Sequence, residues 1–545
     1  MIRRRSAPRT LVRSTLALLA ATALALAAGP LPATAAPLAA PAAVADGEGA
    51  SGAARAALAR VEQLLAPGFS AQSGRATSRD VTMALRDLAL QRSALRGADR
   101  ARAAAFLARP TDPPGSSNPD SPFSYGNVPS ERACNSEVCV HWVESGPNAP
   151  SLADPNGNGR PDWIDTTYST VAAVHDQYVA AGYRSPKPDA GRGGSNATDV
   201  YVADLGPGLY GYCTSDERIR NSGPRDAWAY CVVDNDYAGF PTNTPTENLQ
   251  VTVAHEFFHA VQFGYDIAED LWFLEGTAAW VEDEMYDGVD DNLQYLRASP
   301  LREPTVPLDT FDSATGYHYG TWIFFRYLSE RFPAAQGGLP TIVRDMIRRT
   351  DSRRGAPDQY SMQAVKSVLA ARKQQLPRLY ATFASANRRP FATYDEARAN
   401  RYPVAPLAKR YRLGAGTTRR GSFRADHMTS ATVRATPAPG LRNAAWKLRI
   451  GLQMAPSARG SAAVASLTLR DGTVRKLAIP IGPRGGGRKV VPFTAGQVKH
   501  VELTMVNAGT QYRCFVRGPS SCQGVSRNDD VLERFTLQVV GRAGS

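Results

Sequence analysis

Eleven residues, TVAHEFFHAVQ (252–262), restrict this chain more than any other stretch of it. They are apolar enough to require burial, yet they carry His255, Glu256 and His259 at their centre. An apolar stripe through Leu249, Val253, Phe257 and Ala260/Val261 predicts a helix with Thr246 as N-cap and Gly264 as its stop. Histidines four apart project from one face, a single turn apart, so both can grip one metal ion. Glu256 is rotated by about 100° from His255 and still reaches the same cavity. Zinc (Zn2+) in such a pair lowers the pKa of water to about 7, and Glu256 is placed to take the proton and pass it to a leaving amine.

A catalytic zinc needs a third protein ligand and an open position. The next apolar segment, LWFLEGTAAWVEDE (271–284), predicts a second helix and offers Glu275, with Glu282 seven residues on and nearly on the same face. Glu275 stands beside Leu274 and the small residues Gly276, Thr277, Ala278 and Ala279, which permit close helix approach. A carboxylate among apolar neighbours needs a partner. Glu282 adjoins Asp283 and Glu284 and reads as a solvated helix end. The pattern favours Glu275, with Glu282 the alternative.

The run HEFFH…LWFLEGTAAWVED resembles the aminopeptidase N and leukotriene hydrolase branch of the gluzincin metallopeptidases, in which HExxH is followed by W-L-N-E-G-F-A-x-Y. The resemblance covers Asn248 to Arg331. It implies a zincin-like α+β catalytic domain with His255, His259 and Glu275 as zinc ligands and Glu256 as general base. It further implies an oxyanion-stabilising tyrosine opening a later helix; GYHYGTWIFFRYLSERF (316–332) supplies Tyr317 at the matching place, with Tyr319 and His318 as alternatives. The Gly-x-Met-Glu-Asn segment that anchors a free amino terminus in those aminopeptidases does not occur here. The expectation is therefore an endopeptidase acting on a peptide or protein substrate. Two rival classes are a non-catalytic, calcium-stabilised secreted binding protein on a zincin scaffold, and a zinc hydrolase of a non-peptide bond.

Upstream, DPNGNGRPDWID (154–165) has the alternation of a twelve-residue calcium loop. Asp154, Asn156, Asn158, the Arg160 carbonyl, Asp162 and Asp165 are its candidate ligands for Ca2+, with Gly159 at the sharp turn. No helix precedes the loop, so it reads as a lone structural site. His141, His175, His427 and His500 read as packing or surface residues.

The chain starts with five arginines and an apolar run from Leu16 to Ala28, followed by Ala33-Thr34-Ala35-Ala36, the form of a secretory signal. That run is too short to span a bilayer, and no other uncharged stretch approaches membrane length. An exported protein with an even cysteine count is expected to form disulfides, here as the local pairs Cys134/Cys139, Cys213/Cys231 and Cys514/Cys522. The formal charge is +13, but its arginines are scattered without a basic block, which argues against a nucleic-acid partner. Nothing in the sequence signals an oligomeric state.

Four regions follow: a signal at 1–36, a helical pro-like segment and linker at 37–120, the catalytic domain at 121–405, and a β-sandwich at 406–545. Within the second, Ala53–Ala66 and the stretch after Thr77-Ser78-Arg79-Asp80 have helical patterns, and Arg109–Pro122 is a Pro/Ser/Gly-rich break. Strands followed by three helices (247–263, about 270–285, about 319–332) make the third region α+β. Short alternating runs after Leu407, with an Asp471-Gly472 turn, predict an antiparallel sandwich.

Overall fold

The computed structural model describes residues 47–66, 80–112, 122–220, 223–240 and 242–541. The expected signal at 1–36, the capping residues Thr77, Ser78 and Arg79, and most of the Pro/Ser/Gly-rich break lie outside them. Among the described residues no helix is long and apolar enough to cross a membrane. The described chain is mixed helix and sheet, in the α+β manner.

A five-stranded sheet forms its centre, from β1 (Ser130–Cys134), β2 (Val138–Val143), β3 (Thr198–Ala203), β4 (Gly211–Thr214) and β5 (Tyr230–Asp234). The order is β1-β2-β3-β5-β4, with β2, β3 and β5 parallel and both edge strands antiparallel. All residues of β2 to β5 are buried, because helices cover both faces. One face (Val200, Val202, Cys231, Val233) packs on α4 (Asp162–Ala180) and α5 (Pro245–Asp266). The other (Tyr201, Tyr212, Tyr230, Val232) meets Leu58, Val61, Leu85 and Leu88 of the N-terminal helices α1 (Gly47–Leu64) and α2 (Val81–Gln91). Together with α3 (Gly97–Phe106), the N-terminal helices are thus a layer of this body. Arg109 fastens that layer from within, its guanidinium pairing with Asp189, Asp199 and Asp216 while only 1% exposed.

The start and stop of α5 differ from the sequence expectation. Thr244, not Thr246, is the N-cap: its Oγ1 accepts the Glu247 amide while the Glu247 carboxylate accepts the Thr244 amide, with Pro245 at the first helical position. Gly264 does not end the helix, which continues to Asp266; the Phe263 carbonyl near its end accepts the Ala227 amide. The helix is buried on all sides rather than along one stripe. It packs on α6 (Leu271–Met285), followed by the short α7 (Tyr317–Gly320) and by α8 (Trp322–Arg331). The single helix expected at 319–332 is therefore two, joined at Thr321. Three further helices, α9 (Thr341–Ile347), α10 (Ser361–Ala371) and α11 (Leu376–Ala386), occupy a stretch to which the sequence reading assigned no element.

The C-terminal region stacks two sheets around Leu448, Ile450, Val501, Leu503 and Leu537. In chain order its strands are β6 (Lys409–Leu413), β7 (Thr418–Ala425), β8 (Thr429–Pro437), β9 (Lys447–Gln453), β10 (Ser461–Leu469), β11 (Val474–Ile479), β12 (Gly486–Pro492), β13 (Val498–Asn507) and β14 (Val531–Val540). The sheet orders are β11-β10-β13-β8-β6 and β12-β9-β14-β7. One pairing departs from the antiparallel expectation: β6 runs parallel to β8. The β10–β11 turn uses Asp471, whose carboxylate accepts the Thr473 amide, and Gly472 at φ 89°.

The three expected cysteine pairs are joined as disulfides, and no cysteine is free. Cys134–Cys139 closes the β1–β2 hairpin, and Cys213–Cys231 ties edge strand β4 to β5. The Cys514–Cys522 loop reaches back to the helical region. There the Cys522 amide donates to Asp270, at the N-cap position of α6, at 2.8 Å, and the Ser521 amide to Asp309 at 2.9 Å.

Candidate metal centre

The α5–α6 contact brings His255, His259 and Glu275 together, one ligand atom from each lying within 4.8 Å of the others. Small residues permit it. A Cβ on Gly276 would lie 2.3 Å from Thr321 Oγ1, so only glycine lets α6 approach the α7–α8 junction this closely. His255 Nε2 is 3.0 Å from Glu275 Oε2 and His259 Nε2 is 3.6 Å from the same oxygen. His259 and Glu275 are wholly buried, and His255 is 7% exposed.

The outer nitrogens fix the tautomers. His259 Nδ1 meets Gln262 Oε1 at 2.7 Å, and the Gln262 amide nitrogen donates to the Leu274 carbonyl and Thr277 Oγ1. Gln262 must therefore present its oxygen to His259, so Nδ1 donates and Nε2 is the nitrogen that faces inward. His255 Nδ1 donates to Glu282 Oε1 at 2.5 Å. Imidazole nitrogens facing a carboxylate in a dry interior need positive charge between them, from a proton or from a metal ion. His259 Nε2 and Glu275 Oε1 are in fact buried without any hydrogen-bond partner. Burial works against charge on His255, but its bonds to Glu275 and Glu282 prevail and hold its pKa up to about 10. Burial works against charge on Glu275 too, but the two imidazoles, His259 first and then His255, hold it well below the usual carboxylate range. Without a metal, a proton on His255 supplies the positive charge this donor set needs. Two imidazoles, one carboxylate and orphaned inward lone pairs fit a divalent metal such as zinc.

Glu282 is the residue that sequence reasoning misplaced. It is 2% exposed and supports His255 from behind, and the acids beside it are not solvated either. Asp283 bonds to Arg326 at 2.8 Å and to Asn292, and Glu284 accepts the Ser329 hydroxyl. Its position seven residues after Glu275, on the same helical face, was the available signal.

Glu256, 6% exposed, accepts the Thr82 hydroxyl at 2.9 Å through Oε2. Beside it is a cavity of about 20 Å³ lined by Tyr210, Gly211, Val251, Thr252, His255, Glu256 and Glu282. A Cβ on Gly211 would lie 2.7 Å from Thr252 Cγ2 and 3.3 Å from Glu256 Cγ, which explains glycine at the start of β4.

The structure does not bring Tyr317 to the cluster. Its hydroxyl donates to the Val306 carbonyl at 3.1 Å. Tyr319 is the tyrosine beside the cluster, its ring centroid 6.0 Å from that of His255. His318 lies next to it, stacked on Phe311. His318 Nδ1 accepts the Asp312 amide, so Nε2 carries the donor proton. Both Tyr319 OH and His318 Nε2 point at one oxygen of Asp80, at 3.2 and 3.1 Å. Gly320 follows because a Cβ there would lie 2.0 Å from the Ala298 carbonyl.

At 154–165 the Asp154 carboxylate accepts the Asn158 and Gly159 amides, and the Asn156 and Asn158 side chains turn to Asp162 and Asp165. The Arg160 guanidinium pairs with Asp165. The loop leads straight into α4, at whose start Asp162 and Asp165 stand. Of the remaining histidines, His141 bonds to Asp199, His175 lies against Phe257, and His427 is buried between Asp309 and Asp529.

No protein-family model and no curated protein sequence matches the chain. Among solved structures, a β-glucosidase from Paenibacillus barengoltzii is similar over 25% of this chain and 12% of its own, at 11% identity and a TM-score of 0.13. A family GH115 4-O-methyl-α-glucuronidase with specificity for decorated arabinogalactans is similar over 55% of this chain and 45% of its own, at 9% identity and a TM-score of 0.14. The chain thus spans less than half the length of either, and the likeness is too slight to carry an argument about fold or activity.

Proposed function

We propose that this protein is a secreted zinc-dependent peptidase with a zincin-like catalytic domain, cutting within peptide chains. The single observation behind this reading is the inward-facing, unpartnered His259 Nε2 and Glu275 Oε1, gathered with the His255 imidazole. His255, His259 and Glu275 would hold the ion, which when bound supplies Lewis acidity toward water and the carbonyl oxygen.

The protein's own groups do the rest. Glu256 takes a proton from the attacking water and returns it to the departing amine as the C–N bond breaks. The Tyr319 hydroxyl and His318 Nε2–H donate to the oxygen on which negative charge gathers. Glu282 and Gln262 fix the two imidazoles. Edge strand β4 is where an extended peptide can add by main-chain pairing. The 154–165 loop is proposed as a calcium site that steadies the start of α4. The three disulfides fit an extracellular setting.

The test is metal analysis of the purified protein together with digestion of a mixed peptide library by wild type and Glu256→Gln. The variant should keep its metal and fold and lose activity by about a hundredfold or more. A variant cutting at a wild-type rate would remove Glu256 from the role of base. Cleavage of ester or glycosidic substrates alone would redirect the reading to another bond.

A further inference from the structure

We propose that residues 80–86, at the start of α2, occupy the place of the substrate and hold the site closed. The proposal rests on the peptidase reading above. It adds an intramolecular inhibitor, made by the chain's own N-terminal layer.

Three side chains on this turn grip different parts of the site. Thr82 Oγ1 lies between Glu256 and the edge strand, donating to Glu256 Oε2 at 2.9 Å and accepting the Cys213 amide at 3.0 Å. It thereby takes both the base and a main-chain donor of β4 to which an extended peptide would bond. Asp80 places Oδ1 against His318 Nε2 and Tyr319 OH, the two donors proposed for the oxyanion. Arg86 donates to the Ile267 and Glu269 carbonyls at 2.5 and 2.7 Å, locking α2 to the turn between α5 and α6.

These are not the contacts of an ordinary packing helix. Leu85 and Leu88 already supply the apolar attachment to the sheet. Asp80 stands at the N-cap of α2 yet makes no side-chain cap bond, so its carboxylate is used outside its own helix. Its other oxygen is buried without a hydrogen-bond partner, the nearest cation being Arg60 at 3.9 Å. Asp80 and Thr82 are 2% and 1% exposed. The space left beside Glu256, about 20 Å³, holds about one water and no peptide. A substrate can reach Glu256 only after Thr82 leaves it.

The experiment uses the zinc-loaded full-length chain and a fluorescent peptidyl hydroxamate as the probe of an open site. Asp80→Ala/Thr82→Val should bind the probe at least tenfold more tightly than wild type at equal zinc content, and Thr82→Ser should bind like wild type. Saturating wild type with the probe should raise hydrogen exchange of the amides at 81–91. Equal affinity of the double variant and wild type would overturn the proposal. So would probe bound to wild type with exchange at 81–91 unchanged, a measurement that decides alone if the double variant fails to fold. Tighter probe binding in a variant that cleaves no peptide would uphold the closure and refute the peptidase reading.

Discussion

Replacing Glu282 tests the centre without touching a metal ligand. Its Oε1 accepts from His255 Nδ1 at 2.5 Å, in a place where the residue is 2% exposed. A hydrogen bond to a buried charged group contributes about 1.5–3 kcal/mol. Here that energy serves to fix the ring and to raise the basicity of the nitrogen facing the metal. Glu282→Gln keeps an acceptor and loses the charge, so zinc should bind about tenfold more weakly. Glu282→Ala loses the acceptor as well and should cost about a hundredfold, close to 2.7 kcal/mol. Glu275→Ala removes a ligand and should cost well beyond a thousandfold, leaving little zinc after purification. The assay is competition for zinc against a chromophoric chelator at fixed pH and salt, with a thermal melt of each variant to verify folding. If folded Glu282→Ala held zinc within about twofold of wild type, the carboxylate behind His255 would have no part in tuning the site.

Tyr319→Phe should lower kcat by about ten- to a hundredfold at equal zinc content, whereas Tyr317→Phe should leave kcat unchanged and cost only about 1 kcal/mol of stability; turnover constants and melts of the pair decide between the two tyrosines. Calcium should raise the thermal midpoint of wild type and not of Asp154→Ala, because an ion that binds only the folded chain stabilises it by mass action. An equal shift in both would make 154–165 a plain turn. His427 lies between Asp309 and Asp529, and although burial opposes its charge, those bonds raise its pKa to about 10. Because its folded value lies above the unfolded one, its stabilisation is full below about pH 6.5 and is lost as pH rises toward 10. Melts of wild type and His427→Gln from pH 6 to 10 should therefore converge at the alkaline end, and a constant gap between them would refute the linkage.

What the sequence disclosed was local chemistry at fixed spacing. His255 and His259 are one helical turn apart, and Glu275 lies amid small residues, so that these three side chains would gather could be read without knowing what packs where. The cysteine pairs were legible for the same reason, each closing a short loop. Glu282 was not, because a run of acids looks the same in water as it does around a buried Arg326. Tyr317 and Tyr319 are two residues apart on a short helix, and only the stacking of Tyr319 on Tyr295 tells which ring turns inward. Asp80 and Thr82 were beyond reach altogether: Asp80 resembles an ordinary helix cap, and its partners lie 238 and 239 residues away. The helices at 341–386 were missed where the strand-then-helix pattern had been taken as finished.

The bonds from the Cys514–Cys522 loop to Asp270 and Asp309 bear on the order in which the molecule is completed. Asp270 stands at the head of the helix that carries Glu275, and its buried carboxylate accepts the amides of Cys522 and Gln523 rather than those of its own first turn. A chain emerging from its N-terminus can form the sheet, α5 and α6 long before residue 522 exists. Until then the carboxylate at the head of α6 lacks those donors and keeps only the Ser361 hydroxyl among its partners from elsewhere in the chain. The candidate metal centre is therefore drawn from the middle of the chain, while the surroundings of α6 are completed only from its far end.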